Sequence, residues 1–233
     1  MIRSLCLPLV LGIAVVACSN EETSSGGGTE SANNPPPKTP LPNTGPEEQN
    51  PPPVNPADDP NAKPCTGAPG EIYALSAKKL ASPDEVPLCR YKDKVMLILN
   101  GASKCGQTYQ YGPLQALYSK HQAAGLEVLA FPSRDFAEQE FENDAETSAF
   151  CTEKYGVKFP LFTIAPVTGA DIQPVFKWLT SQPGYEAPIP WNFEKFLVSR
   201  KGKIVKRFAY TMNPDPTVDP TIETAIKDEL AKQ

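Results

Sequence analysis

The sequence predicts an α/β domain: a central mixed sheet flanked by helices, with an added N-terminal β-hairpin. Three observations predict it. Val95-Met96-Leu97-Ile98-Leu99 is an unbroken apolar run bounded by turn residues, which suits a strand buried on both faces. A segment with Tyr111, Leu114, Leu117 and Tyr118 at helical spacing follows, and then a second apolar run, Leu126 to Phe131. Strand, helix and strand in that order make a right-handed crossover with parallel strands. Further on, Phe193 to Val198 and Lys203 to Ala209 flank Arg200-Lys201-Gly202 and read as an antiparallel hairpin.

The domain does not fill the chain. Residues 19–64 hold 12 of the 27 prolines and almost no large apolar side chain, so they cannot bury enough surface to offset their ordering entropy. The composition predicts a disordered tether, with a root-mean-square span of about 40 Å. Ahead of it, residues 1–17 carry Arg3 and a short apolar stretch, the pattern of a signal peptide rather than a membrane span. The stretch Val15-Val16-Ala17-Cys18 resembles the bacterial lipobox. That resemblance implies cleavage before Cys18, a lipid on Cys18, and a domain exported and anchored to a bacterial membrane on its periplasmic side. Ser19 stands where inner-membrane retention commonly uses Asp, which leans toward the outer membrane. The expected organisation is leader 1–17, lipidated tether 18–64 and folded domain 65–233. The tether has seven acidic residues and two lysines, a net of −5, and the domain is at −1. A near-neutral domain without a basic run gives no reason to expect nucleic-acid binding.

Within the domain, Glu71 to Ser76 and Val86 to Leu88 read as two short strands around Ala81-Ser82-Pro83-Asp84, the added hairpin. Cys65 and Cys89 flank this pair, and in an exported protein they are expected to form a structural disulfide. Gly125 ends the first helix. Asn143 with Glu146 three residues on is a capping arrangement that starts a helix reaching Tyr155, with Gly156 beyond it and Cys151 inside it. Phe159 to Thr163 reads as extended despite Pro160, and Val175 to Leu179 as a short helix. Asp219 is the expected N-cap of a final helix with Pro220 at its first position and Ile222, Ile226 and Leu230 on one face. This order is that of the thioredoxin-like fold.

Cys105 sits between the first central strand and its helix, where unpaired N–H groups and the helix dipole favour a thiolate. Substantial ionisation of a cysteine at neutral pH takes roughly 2 kcal/mol of preferential stabilisation, and a helix end supplies about half. Further donors must come from elsewhere in the chain.

Four ordered motifs indicate where. Asn100 to Thr108 resembles the signature of glutathione peroxidases around their reactive Cys or selenocysteine. Phe131-Pro132 with Phe136 and Gln139-Glu140, then Tyr155-Gly156-Val157 with Phe159-Pro160-Leu161-Phe162, then Trp191-Asn192-Phe193 with Lys195-Phe196-Leu197-Val198 resemble three further family stretches. The resemblance covers about residues 70–230. It implies a catalytic set of Cys105, Gln139, Trp191 and Asn192, in which two amides and an indole N–H point at the thiolate. It also implies that Cys151 is the resolving cysteine of a thioredoxin-dependent member, which reaches Cys105 only after its helix unwinds locally. The implied substrate is a hydroperoxide, and the implied reductant is a thioredoxin-like dithiol protein in preference to glutathione. Ser133, Arg134 and Asp135 replace the family's usual Cys-Asn-Gln, which alters the pocket rim. The short segment between Trp178 and Trp191 lacks the loop used by tetrameric members, so a monomer is expected.

Each residue also has a plainer reading. A lone Cys is usually a small buried hydrophobe, a lone Trp usually core, and Gln139 alone an ordinary surface residue. A structural role competes for Cys151. His121, the only histidine, lies in a polar stretch and reads as solvated; no metal site and no cofactor are expected. Beside the peroxidase stand a noncatalytic or redox-sensing binding module and a thioredoxin-type disulfide oxidoreductase. The last normally uses Cys-x-x-Cys, and here Thr108 holds the second position.

Overall fold

A computed structural model describes residues 64–232; the leader, Cys18 and nearly all of the tether lie outside the described residues. The elements are β1 (Ser76–Lys78), β2 (Glu85–Pro87), β3 (Val95–Gly101), α1 (Tyr111–His121), β4 (Leu126–Pro132), α2 (Asp144–Tyr155), α3 (Pro174–Leu179), β5 (Lys195–Val198), β6 (Ile204–Phe208) and α4 (Thr221–Leu230). The main sheet runs β4-β3-β5-β6. β3 pairs parallel with β4 and antiparallel with β5, and β5 pairs antiparallel with β6. This is the thioredoxin-like arrangement, with β1 and β2 as a separate antiparallel hairpin.

Every residue of β3 and β4 is buried, as two-sided burial requires, and alternation divides the β3 side chains. Val95, Leu97 and Leu99 pack with Leu114, Leu117, Cys151, Ile222 and Ile226 of α1, α2 and α4. Met96 and Ile98 face the other way, against Val175, Phe176 and Leu179 of α3, Val86 of β2 and Leu88 just after it. The sheet is thus covered on both faces. The C-terminal ends of β3 and β4 are left carrying the loops that matter below.

Local signals act as expected at several joints. The Asn143 side chain accepts the Glu146 N–H at 2.9 Å at the start of α2, and Gly156 ends it at φ 62°. Gly125, at φ 103°, ends the turn after α1. Phe162 and Leu161 form single bridges to Lys79 and Ala130, so the segment with Pro160 extends the sheet without becoming a full strand.

Three expectations need correction. The first strand does not begin at Glu71: Ile72–Ala74 form a 3₁₀ turn that buries Ile72 and Tyr73, and pairing begins at Ser76. α4 starts at Thr221, with Pro220 rather than Asp219 at the cap position; the Asp219 carboxylate still accepts the Thr221 N–H at 2.9 Å. His121 is not solvated: its Nε2 lies 2.7 Å from Glu223 Oε1, which Lys120 also contacts, and this joins α1 to α4.

Candidate active site

The Cys105 turn is built around one hydroxyl. Thr108 Oγ1 accepts the Cys105 N–H at 3.0 Å and lies 2.7 Å from both the Ala102 and Cys105 carbonyl oxygens, either of which takes its proton. The Gln107 N–H donates to Cys105 Sγ at 3.4 Å. A 3₁₀ turn, Thr108–Gln110, separates Cys105 from α1, so the nearest donor to the sulfur belongs to the turn and not to the helix end. Cys105 is a free thiol, 8% exposed.

The Gln139 loop docks on this turn. Its backbone carbonyl accepts the Lys104 N–H at 2.8 Å, and its side-chain Oε1 accepts from Asn192 Nδ2 at 3.1 Å. Ala137 and Glu138 sit in the left-handed region at φ 52° and 51°, which turns the chain back toward Cys105. The three residues that depart from the family pattern anchor this loop. The Ser133 N–H donates to Gly101 O at 3.0 Å. Asp135 Oδ2 accepts from Val167 N, Thr168 N and Thr168 Oγ1 at 2.7, 2.9 and 3.0 Å. Arg134 pairs on the rim with Glu138 and Glu142, both exposed.

Trp191 and Asn192 are held by Asn100, at the end of β3. Asn100 Nδ2 donates to Trp191 O at 3.1 Å, Asn100 O accepts the Phe193 N–H at 2.8 Å, and Asn100 Oδ1 accepts the Glu194 N–H at 3.0 Å. Phe193 adopts φ 71°, a conformation that costs a non-glycine residue about 1–3 kcal/mol. Asn192 is fully buried, and the Trp191 ring lies against Phe136 at 5.5 Å between centroids. With Gln139 Oε1 occupied by Asn192, the Gln139 amide hydrogens and the Trp191 indole N–H carry no hydrogen bond to any described residue and are available as donors. Cys105, Gln139, Trp191 and Asn192, widely separated in the chain, therefore gather at one end of the sheet.

Cys151 lies deeper, a free thiol completely buried in α2. Burial pushes its pKa up to about 12, with the Glu140 charge adding to the effect. Glu140 Oε1 accepts from Phe141 N at 2.7 Å and from Thr147 Oγ1 at 3.0 Å, which ties the Gln139 loop to α2 one turn before Cys151. Tyr111 is buried beside them, and its hydroxyl occupies the space that a side chain on Gly101 would take. Its pKa stands well above the ordinary value, through burial first and then the Cys151 and Glu140 charges.

Sequence reasoning gave no role to Asn100, Lys195 or the Glu140–Thr147 pair. The available signal was a polar or charged residue inside an apolar strand run, at Asn100 and Lys195.

The family model for glutathione peroxidase matches residues 72–180, a stretch that holds Cys105, Gln139 and Cys151 and stops before Trp191. The chain is 46% identical over 145 residues to the glutathione peroxidase homolog BsaA of Halalkalibacterium halodurans, covering 61% of this chain and 92% of that protein. It is 46% identical over 153 residues to the hydroperoxy fatty acid reductase gpx1 of Synechocystis sp., covering 62% and 89%. The glutathione peroxidase-like peroxiredoxin HYR1 of Saccharomyces cerevisiae is 41% identical over 163 residues, covering 68% and 98%. Among solved structures, Trgpx in apo form aligns with a TM-score of 0.54 at 32% identity, covering 70% of this chain and 96% of that one. The chain belongs to the glutathione peroxidase family.

Proposed function

We propose that the protein is a thiol peroxidase that reduces hydrogen peroxide or organic and lipid hydroperoxides. The Cys105 thiolate attacks the distal peroxide oxygen; the O–O bond breaks, the alkoxide or hydroxide leaves and takes a proton, and Cys105 becomes a sulfenic acid. The amide hydrogens of Gln139 and Asn192 and the indole N–H of Trp191 stabilise the departing oxyanion. The Cys151 thiol, released as α2 opens, attacks the sulfenic sulfur; water leaves and a Cys105–Cys151 disulfide remains. A thioredoxin-like dithiol protein then returns two electrons and two protons. The observation that carries this reading is the Asn192–Gln139 amide pair, packed against the Cys105 turn with its remaining N–H donors uncommitted. Relatives named as peroxiredoxins and as a hydroperoxy fatty acid reductase support both the dithiol reductant and the lipid hydroperoxide. A disulfide oxidoreductase is disfavoured because Thr108 fills the second Cys-x-x-Cys position and its hydroxyl is committed within the turn.

The reading extends to location. The Cys65–Cys89 disulfide fits an oxidising compartment, in accord with an exported domain tethered by lipid on Cys18, outer membrane favoured, and acting as a monomer. Its electrons then come through a dithiol relay rather than from a cytosolic reductant directly.

The test is peptide-mapped mass analysis of the reduced full chain after one equivalent of peroxide, beside Cys105→Ser and Cys151→Ser. The expected products are a Cys105–Cys151 disulfide in the parent and a trapped sulfenic acid on Cys105 when Cys151 is absent. A Cys105 thiol that survives both hydrogen peroxide and an organic hydroperoxide would overturn the reading. Mass analysis of the N-terminal peptide of the mature protein tests the anchor, with a diacylglyceryl group on Cys18 expected.

A further inference from the structure

Lys195 lies in β5, inside the sheet, and is fully buried. Burial pushes its pKa down to about 7, with the Glu194 charge working the other way. Among the described residues no carboxylate pairs with it. The neighbouring Glu194 is committed to Arg207 Nε at 2.7 Å and to the Tyr210 N–H at 2.9 Å. A hydrophobic side chain of the same volume would fill this space without taking an amine out of water. Packing alone therefore does not account for a lysine here.

Its hydrogen bonds do. Nζ donates to Phe193 O at 2.7 Å and to Met212 O at 3.1 Å. Phe193 is the left-handed residue directly after Asn192. Asn100 secures this kink through the Trp191 carbonyl and the Phe193 and Glu194 N–H groups, and Lys195 takes the remaining Phe193 carbonyl. Met212 lies in the loop after β6, which is bound to the Cys105 turn by Gln110: its Nε2 donates to Tyr210 O at 2.8 Å and to Gln107 Oε1 at 2.7 Å. One amine thus joins the peptide that follows Asn192 to the loop that Gln110 joins to the Cys105 turn. A neutral amine has two N–H donors and an ammonium three, so both carbonyls stay occupied in either protonation state.

We infer that Lys195 is a positioning residue of the Cys105 site, fixing the Trp191–Asn192 kink at its distance from the sulfur and acting through those two side chains. The inference deepens the peroxidase reading and rests on it for the rate it predicts. The experiment compares full-length Lys195→Met, which keeps the buried stem and loses the donors, with the parent. It measures the second-order rate of Cys105 sulfenic acid formation by hydrogen peroxide, the thermal midpoint, and Trp191 emission with acrylamide quenching, with Trp178→Phe in both proteins. The expected result is a ten- to hundredfold slower oxidation, a midpoint unchanged or higher, and a more quenchable Trp191. Oxidation within twofold of the parent overturns the inference. So does a slower rate that comes with a lower midpoint and an unchanged Trp191 signal, since that assigns Lys195 to the fold. Should Lys195→Met not fold, Lys195→Gln answers in its place: its shorter amide reaches one carbonyl at most. At least a threefold slower oxidation is expected, and parity overturns the inference. If the parent itself is not oxidised at Cys105, the peroxidase reading falls; the Trp191 signal still decides the positioning, with no change in the variant counting against it.

Discussion

At the scale of single residues, the site depends on polar atoms with no slack. Thr108 is the clearest case, because its hydroxyl satisfies the Cys105 N–H and takes a carbonyl within a buried turn. Thr108→Val keeps the shape and leaves those groups unpaired, at a cost of about 1–3 kcal/mol. The expected outcome is a lower midpoint in thermal unfolding together with slower oxidation of Cys105 in stopped-flow, because the turn that presents the Gln107 N–H to the sulfur loosens. Cys105, Gln139, Trp191 and Asn192 were legible in the sequence only through ordered motifs; nothing in composition or periodicity distinguishes Gln139 from a surface glutamine. Lys195 stands in the fourth motif without a role of its own, because an isolated lysine in a short strand reads as an outward-facing residue. His121 was misread because its partner, Glu223, is 102 residues away in the chain, and no local pattern announces a pairing of that range.

At the scale of elements, α2 is the part that has to move in the proposed cycle. Its caps were legible because capping is local chemistry between residues three or four apart. The start of β1 was not, because the burial of Ile72 and Tyr73 in a 3₁₀ turn depends on tertiary packing. α2 is held at its start by Asp144, which accepts from the Thr163 hydroxyl and from Ile164 N, and by the Thr147–Glu140 hydrogen bond. Thr147→Val removes the second tie, worth about 1 kcal/mol. Disulfide formation after a peroxide pulse is expected to accelerate about fivefold, with the initial oxidation of Cys105 unchanged. The Cys151 thiol adds a pH signature. Its pKa in the folded helix, about 12, is above the ordinary thiol value of 9.0 that an opened helix restores. The closed helix therefore holds a proton that the open one releases between these values, and closure weakens as pH rises from 9 toward 12. Alkylation of Cys151 in the reduced protein should climb across that window, more steeply than exposure of an always-open thiol predicts.

At the scale of the whole domain, both sheet faces are covered, and that coverage traps charge. Glu127, in β4, is buried, and burial raises its pKa to about 7 from an ordinary 4.5. Its folded pKa is raised, so its contribution to stability is fully present below pH 4.5 and is lost as pH rises through 7. Glu127→Gln is expected to leave the thermal midpoint near that of the parent at pH 4.5 and to raise it at pH 8. The fold class was legible because two apolar runs, a helix between them and a glycine-marked hairpin leave few alternatives for a sheet buried on both faces. The mutual approach of the Gln139 and Trp191 segments was not legible, since it is set by the Lys104–Gln139 and Asn100–Trp191 hydrogen bonds at the ends of the strands.

The Cys65–Cys89 bridge also makes a demand on whatever supplies electrons to this domain. In the proposed cycle the oxidised protein carries two disulfides at once, and productive turnover reduces one and spares the other. Burial does not shield the bridge as a whole, since Cys65 is exposed and only Cys89 is buried, so in the proposed cycle discrimination rests on a donor that docks where Cys105 and Cys151 join on the opened α2. The electron donor therefore reads a shape, the opened helix, as much as a potential, and a small unselective thiol would damage the scaffold in the act of recharging the site.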